Sequence, residues 1–330
     1  MNKETKNITD QEIKKSNTII QKIKKYYTKR IVGQNNLLNS LLIAIMANGH
    51  ILLESAPGLA KTTAAKTLTE AVNGIFSRIQ CTPDLLPSDI IGTQIFNYKN
   101  NEFETKIGPI NCNFFLLDEI NRSNSKTQSA TLEAMQERQI TINGTTYSLP
   151  KIFIVIATQN PIEQEGTYPL SEAQLDRFLI KEKINYPDIN EEIEILNRIE
   201  NKVFDNKKEI LKIKDLEFLQ KITEKVYIDA SIKKYIAEIM QATRNPENYI
   251  SKEFASYINL GSSTRGAIAF MQCSKALALI KGRTYVIPED IKDLRYSVLG
   301  HRISLNFSAI VDNITPEQII DEIIGVIPTP

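Results

Sequence analysis

A parallel five-stranded sheet with helices on both faces, followed by an all-helical second domain, is the α/β architecture encoded in this chain of 330 residues. Two features point to it. Between residues 50 and 184 five short apolar runs alternate with helical stretches, the rhythm of a parallel sheet covered on both sides. After Tyr186-Pro187 the strand-like runs stop and helical periodicity takes over.

The elements follow in order. Thr9 with Glu12 three residues on is a capping box, and EIKKSNTIIQKIKKYY continues it as an amphipathic helix with Ile13, Ile20 and Ile23 on one face. IVGQ (31–34) interrupts, and NNLLNSLLIAIMA reads as a buried second helix. HILLE (50–54) is a strand running into a Gly/Pro turn, and KTTAAKTLTEAV (61–72) is helical. FSRIQC (76–81), NFFLLDE (113–119), IFIVIATQN (152–160) and FLIKEKI (178–184) are the other four strands, with SKTQSATLEAMQER (125–138) a helix between them. Two stretches break the alternation as insertions. FNYKNNEFETKIGP (96–109) and QITINGTTYSLP (139–150) read as hairpins, the second through Asn143-Gly144. Beyond 187, NEEIEILNRI, DASIKKYIAEIMQATR, TRGAIAFMQCSKALALI, PEDIKDLRYSVLG and TPEQIIDEIIG are helices. The last two open on Pro288 and Pro316 and are expected to stop at Gly300 and Gly325. The expected division is a basic N-terminal helix over 1–30, an α/β domain over 31–186 and a helical domain over 187–330.

Composition narrows the class. Hydrophobic residues make up 42% and charged residues 24%, as in a folded globular chain. No apolar run approaches membrane-spanning length, and the N-terminus lacks the apolar core of a secretion signal. Cys81, Cys112 and Cys273 are far apart and read as small core residues in a reducing cytoplasm. Two histidines and scattered cysteines speak against a zinc site. Net charge is +1, with nine basic and three acidic residues in 1–30, a local +6 that leaves −5 for the rest. That basic segment reads either as an arm for nucleic acid or an acidic partner, or as the solvated face of the first helix.

The chemistry gathers at strand ends. Ser55-Ala56-Pro57-Gly58-Leu59-Ala60 followed by Lys61, Thr62 and Thr63 sits between a strand and a helix, the setting of a phosphate-binding loop. Lys61 would reach the β- and γ-phosphates, and the Thr62 hydroxyl would hold Mg²⁺. The strict motif has glycine at positions 55 and 60. Ser55 and Ala60 suit the turn only at negative φ, since a forced positive φ costs roughly 1–2 kcal/mol. Asp118 and Glu119 end an apolar strand. Asp118 can orient Mg²⁺ or its water, and Glu119 can take a proton from the attacking water. Asn160, in ATQNP, can position that water or simply start a turn. Arg177 and Arg265 are candidates to meet developing negative charge. Arg177 also reads as the partner of Asp176 or of another acid on the surface. Arg265 follows Ser262, Ser263 and Thr264 into the first turn of a helix, where the macrodipole disfavours a cation and a phosphate would explain it.

Seven segments together resemble the MoxR group of AAA+ ATPases. They are IVGQ, SAPGLAKT, RIQCTPDLLPSDIIGT, FFLLDEINR, QSATLEAMQERQITI, ATQNPIEQEGTYPLSEAQLDRF and SSTRGAI, and the likeness runs from about residue 30 to about residue 310. The resemblance implies an AAA+ P-loop NTPase core with an all-α lid domain, and ATP with Mg²⁺ as cofactors. It casts Lys61 and Thr62 as the Walker A pair, Asp118 and Glu119 as Walker B, Asn160 as sensor 1 and Arg265 as sensor 2. Arg177 becomes an arginine finger acting on a neighbouring subunit's nucleotide, and Val32, Gly33 and Gln34 an adenine-side segment. The two hairpins would face a partner or a central pore. Alanine at 60 is usual in the group; serine at 55 departs from it and bears on turnover. The resemblance further implies a homo-oligomeric, usually hexameric ring, protein clients, and a separate partner with a von Willebrand factor A-type domain.

The functional expectation is a chaperone-like ATPase whose subunits complete each other's sites. Three other readings compete. A nucleotide-binding switch with little hydrolysis would rest on Ser55. A metal-chelatase motor subunit would share the architecture. A nucleic-acid motor is opposed by the net-acidic body and the lack of a legible aromatic–basic groove.

Overall fold

A computed structural model describes residues 8–56, 58–59, 61–161, 166–201 and 211–330. The N-terminal half runs α1 (Asp10–Thr28), α2 (Asn35–Met46), β1 (Ile51–Glu54), α3 (Lys61–Ala71), β2 (Phe76–Gln80), α4 (Pro87–Ile91), β3 (Gly92–Asn97), β4 (Glu102–Ile107) and β5 (Phe114–Asp118). It continues with α5 (Ser125–Glu137), β6 (Gln139–Ile142), β7 (Thr145–Ser148), β8 (Ile154–Gln159), α6 (Glu172–Leu175) and β9 (Ile180–Lys183). The C-terminal part holds α7 (Ile189–Glu200), α8 (Ile213–Lys225), α9 (Ala230–Arg244), α10 (Lys252–Ser256), β10 (Ile258–Leu260) and α11 (Thr264–Ile280). It ends with α12 (Pro288–Leu299), β11 (Ser304–Leu305), α13 (Phe307–Val311) and α14 (Pro316–Val326).

The main sheet is parallel throughout, in the order β2-β5-β8-β1-β9. Its three central strands, β5, β8 and β1, are buried on both faces, so their apolar residues sort by parity. Ile51, Leu53, Phe114, Leu116, Ile154 and Ile156 face one side, against α1, α2, α3 and the C-terminal helices. Leu52, Phe115, Leu117, Val155 and Ala157 face the other, against α5 and the second hairpin. Both hairpins form, β3–β4 beginning at Gly92 rather than 96, and β6–β7 turning at Asn143-Gly144, both residues at positive φ.

The C-terminal part is helical and carries in addition a small antiparallel ladder between β10 and β11. Helix α1 starts on the expected box: the Thr9 hydroxyl accepts from the Glu12 amide at 3.2 Å, and the Glu12 carboxylate accepts from the Thr9 amide at 2.9 Å. It is not a free arm. Ile19, Ile20, Ile23, Tyr26 and Tyr27 are buried, and α1 packs against α3 as well as α8 and α11. Gly325 does not stop its helix; α14 continues through it to Val326. Among the described residues no helix is long and apolar enough to cross a membrane.

Candidate active site

The loop after β1 is built for a tight turn. Gly58 has φ 84°, a left-handed value that costs glycine least. A Cβ there would meet nothing within 4 Å, so the backbone, not space, demands glycine. Ser55 lies outside the left-handed region. It is buried, its amide donates to the Gln159 carbonyl at 3.2 Å, and its hydroxyl donates to the Ala56 carbonyl at 3.0 Å. Serine is therefore satisfied here without strain. Pro57 and Ala60 lie outside the described residues.

Lys61 opens α3, and its ammonium reaches back across the loop to the carbonyls of Ser55 and Ala56, 3.4 Å from each. Thr62 and Thr63 fill the first helical turn, where unpaired amides and the macrodipole favour an anion. Beside them is a cavity of about 210 Å³. Ile31, Val32 and Gln34 form one wall, Gly58 and Leu59 the floor, and Ile195 and Ile199 of α7 the other wall. Gly33 and Gln34 both take positive φ where the chain turns into α2, and the Gln34 side chain donates through Nε2 to the Asn185 carbonyl at 3.1 Å.

The two acids stand together at the end of β5, with β8 between that strand and β1. The Thr158 hydroxyl, fully buried on β8, donates to Asp118 Oδ1 at 2.7 Å and accepts from the Glu119 amide at 2.8 Å. Asp118 Oδ2 accepts from Arg78 of β2 twice, from Nη2 at 2.7 Å and Nε at 3.2 Å. The same Nη2 donates to Gln80 Oε1 at 3.1 Å, and Gln80 Nε2 donates to Glu119 Oε2 at 2.8 Å. Arg122 is 3.6 Å from that oxygen. Glu119 sits at φ 58°, ψ 54°, a strained setting for a side-chain-bearing residue that recurs at functional sites. Asn160 is buried just past β8. Lys61, Thr62, Asp118, Glu119 and Asn160 thus share the C-terminal end of the sheet.

Among the described residues no group of three His, Cys, Asp or Glu side chains could cage a metal. The Thr62 hydroxyl and Asp118 carboxylate are nonetheless the hard oxygen donors that suit Mg²⁺ when substrate phosphates supply the rest of its shell.

Arg177 and Arg265 are elsewhere. They line a second cavity of about 240 Å³ with His50, Arg138 and Arg302. His50 precedes β1, and Asp176 to Phe178 precede β9, which pairs in parallel with β1 from Ile51↔Ile180 onward. This cavity is therefore at the N-terminal end of the strands, opposite the loop of Gly58. Four strand residues put roughly 13 Å between the two ends. The expected catalytic set does not converge within one chain, because its two arginines face away from its lysine and acids.

Asp176 pairs with Arg302, not with Arg177. Arg302 Nε donates to Asp176 Oδ1 at 2.9 Å, and Ser263 donates to Oδ2 at 2.7 Å. Arg265 is 3.7 Å from Oδ2 and donates to Gln136 Oε1 at 3.3 Å. Its helix is capped as expected, Ser263 accepting from the Arg265 amide at 3.0 Å. Arg177 Nε is buried with no hydrogen-bond partner, an orphaned cationic donor that is costly unless a further partner arrives. Burial and the charge of Arg138 push His50 down to about 3, so it is neutral there.

Sequence reasoning missed Arg78, Gln80 and Thr158. The i, i+2 spacing of Arg78 and Gln80 shows them on one face of β2, but their partners depend on β2 lying beside β5.

A profile for ATPases associated with various cellular activities matches residues 50–180, and one for an AAA lid domain matches residues 251–323. Chaperone MoxR1 of Mycobacterium tuberculosis is 44% identical over 91% of this chain and 79% of its own length. The uncharacterized protein YeaC of Bacillus subtilis is 43% identical over 94% of this chain and 95% of its own. A crystal structure of a Cytophaga hutchinsonii protein, provisionally called an ATPase, superposes with TM-score 0.91 and 46% identity, covering 97% of this chain and 98% of that one.

Proposed function

The chain belongs to the MoxR family of AAA+ ATPases, and we propose that it hydrolyses ATP with Mg²⁺ in composite sites between subunits, driving the remodelling of partner proteins. One observation carries the reading: the residues suited to bind the nucleotide and the two arginines suited to stabilise its transition state occupy opposite ends of the same sheet. A second copy, placed head to tail, completes the set.

In this reading the base enters the apolar slot beside Val32, Gly33 and Gln34. The loop of residues 55–60 and Lys61 cradle the phosphates, and Thr62 and Asp118 hold the ion, which neutralises developing charge. Glu119 takes the proton from the attacking water, and Asn160 orients that water. Arg177 and Arg265 of the adjoining copy meet the γ-phosphate. The orphaned Nε of Arg177 supports this, since a phosphate is the partner it lacks. Ser55, accommodated without positive φ, supports turnover over the switch reading.

We further propose the division at about residues 30 and 186, a hexameric ring, a cytoplasmic setting that suits three free cysteines, and a separate partner with a von Willebrand factor A-type domain. The name of the Mycobacterium tuberculosis relative favours a chaperone-like role.

The test is ATP turnover against protein concentration, for wild type and Arg177→Ala. Specific activity should rise with concentration and fall by roughly 10³-fold or more in the variant, the scale of a transition-state arginine. Mixing Arg177→Ala with Glu119→Gln should restore activity at mixed interfaces. Turnover independent of concentration and indifferent to Arg177 would sink the shared site.

A further inference from the structure

The carboxylate expected to face the metal is already occupied by a cation from its own chain. Asp118 Oδ1 is engaged by Thr158, and Oδ2 receives both Nε and Nη2 of Arg78. An ionised carboxylate offers about two acceptor positions per oxygen, so both positions of Oδ2 are filled. The fork geometry is the strong form of such a pair. Thr158 cannot give way, being fully buried between strands. Arg78 can. It lies on β2, the outer strand of the sheet, and 46% of its side chain is exposed. It can swing into solvent without opening the core.

We infer that Arg78 is a positioning residue that acts as an internal counter-cation for Asp118, which Mg²⁺ arriving with nucleotide must displace. The inference rests on the proposed nucleotide site. Mg²⁺ and the guanidinium compete for one oxygen, so whatever the pair contributes is subtracted from the ion's affinity. Arg78 donates to Asp118 and Gln80 and does not line the cavity beside Gly58, so the competition concerns the ion and not the nucleotide alone. Without the ion, Arg78 neutralises the half of Asp118 that would otherwise stand uncompensated beside Glu119.

The experiment is a titration with a fluorescent ATP analogue on the full chain, in EDTA and at graded Mg²⁺, for wild type, Arg78→Gln and Arg78→Lys. Arg78→Gln should lower the Mg²⁺ concentration for half-maximal tightening by about fivefold, the upper range for a half-exposed ion pair. Affinity in EDTA should stay unchanged, and Arg78→Lys should fall between. General damage to the fold would weaken binding in EDTA as well, so an unchanged EDTA arm separates a specific effect from a structural one. A Mg²⁺ curve that stays put or moves to higher concentration in Arg78→Gln, while wild type binds nucleotide normally, overturns the inference and leaves the site reading intact. Wild type that binds no nucleotide under any condition removes the site reading, and the inference with it.

Discussion

Thr158 and Asp118 are joined by a 2.7 Å hydrogen bond, and the same hydroxyl accepts the Glu119 amide at 2.8 Å. One threonine therefore holds both acids, and it holds Glu119 in a left-handed conformation that nothing local favours. The side chain is fully buried, so no water can replace it.

Thr158→Val keeps the shape and removes the hydroxyl. It leaves an amide and a carboxylate oxygen short of a partner, at a cost of roughly 1–3 kcal/mol in urea unfolding. Freed from its anchor, Glu119 should relax, and turnover should fall on the order of 10²-fold, as for a small misplacement of a reacting group. Thr158→Ser should keep most of both. Equal activity in the valine and serine variants would show that the hydroxyl does not position the acids.

The two small residues of the loop should respond in opposite ways. Gly58→Ala forces a side chain into φ 84° and should cost roughly 1–2 kcal/mol, with nucleotide affinity falling as the loop shifts. Ser55→Gly should leave turnover within about twofold of wild type, since serine meets no left-handed strain. A large gain of turnover in Ser55→Gly would mean that the serine side chain, not its backbone, limits the site.

Neither histidine should titrate in the native protein near neutrality. Val155 donates to His50 Nδ1 at 2.9 Å and Nε2 lies 3.1 Å from the Met135 carbonyl, and burial pushes the ring down to about 3. His301 is lowered well below its ordinary value by burial, with the charge of Arg302 adding to it. Both are depressed, so the unfolded chain binds more protons once pH drops below about 6.5. Stability should be insensitive to the histidines above that pH. Below it, each should remove up to about 1.4 kcal/mol per pH unit as pH falls, for His50 down to about 3. Urea midpoints from pH 8 to pH 4.5 measure the slope. Native histidine NMR signals that titrate near pH 6.5 would contradict it.

Much of this protein is legible one residue at a time. A capping box, an Asn-Gly turn, a strand ending in two acids and a loop opening onto a helix each act within a few residues. The pattern of five strands, the helical second half, Lys61, Asp118 and Glu119 all follow from such short-range rules. Gly325 marks their limit: a glycine inside an amphipathic helix costs too little to end it when Ile319, Ile320 and Ile323 bury one face.

What local pattern could not supply is which strand lies beside which, and which end of the sheet each loop reaches. Strand order alone puts Arg78 against Asp118, although 40 residues separate them. The parallel sense of β9 beside β1 alone carries Arg177 to the end opposite Lys61, with α11 bringing Arg265 to it. Pairing between distant strands is settled by burial of whole faces, a sum over the core rather than a property of any segment. The residues of the proposed binding half could thus be picked out along the chain, whereas their separation from the two arginines became visible only in the fold.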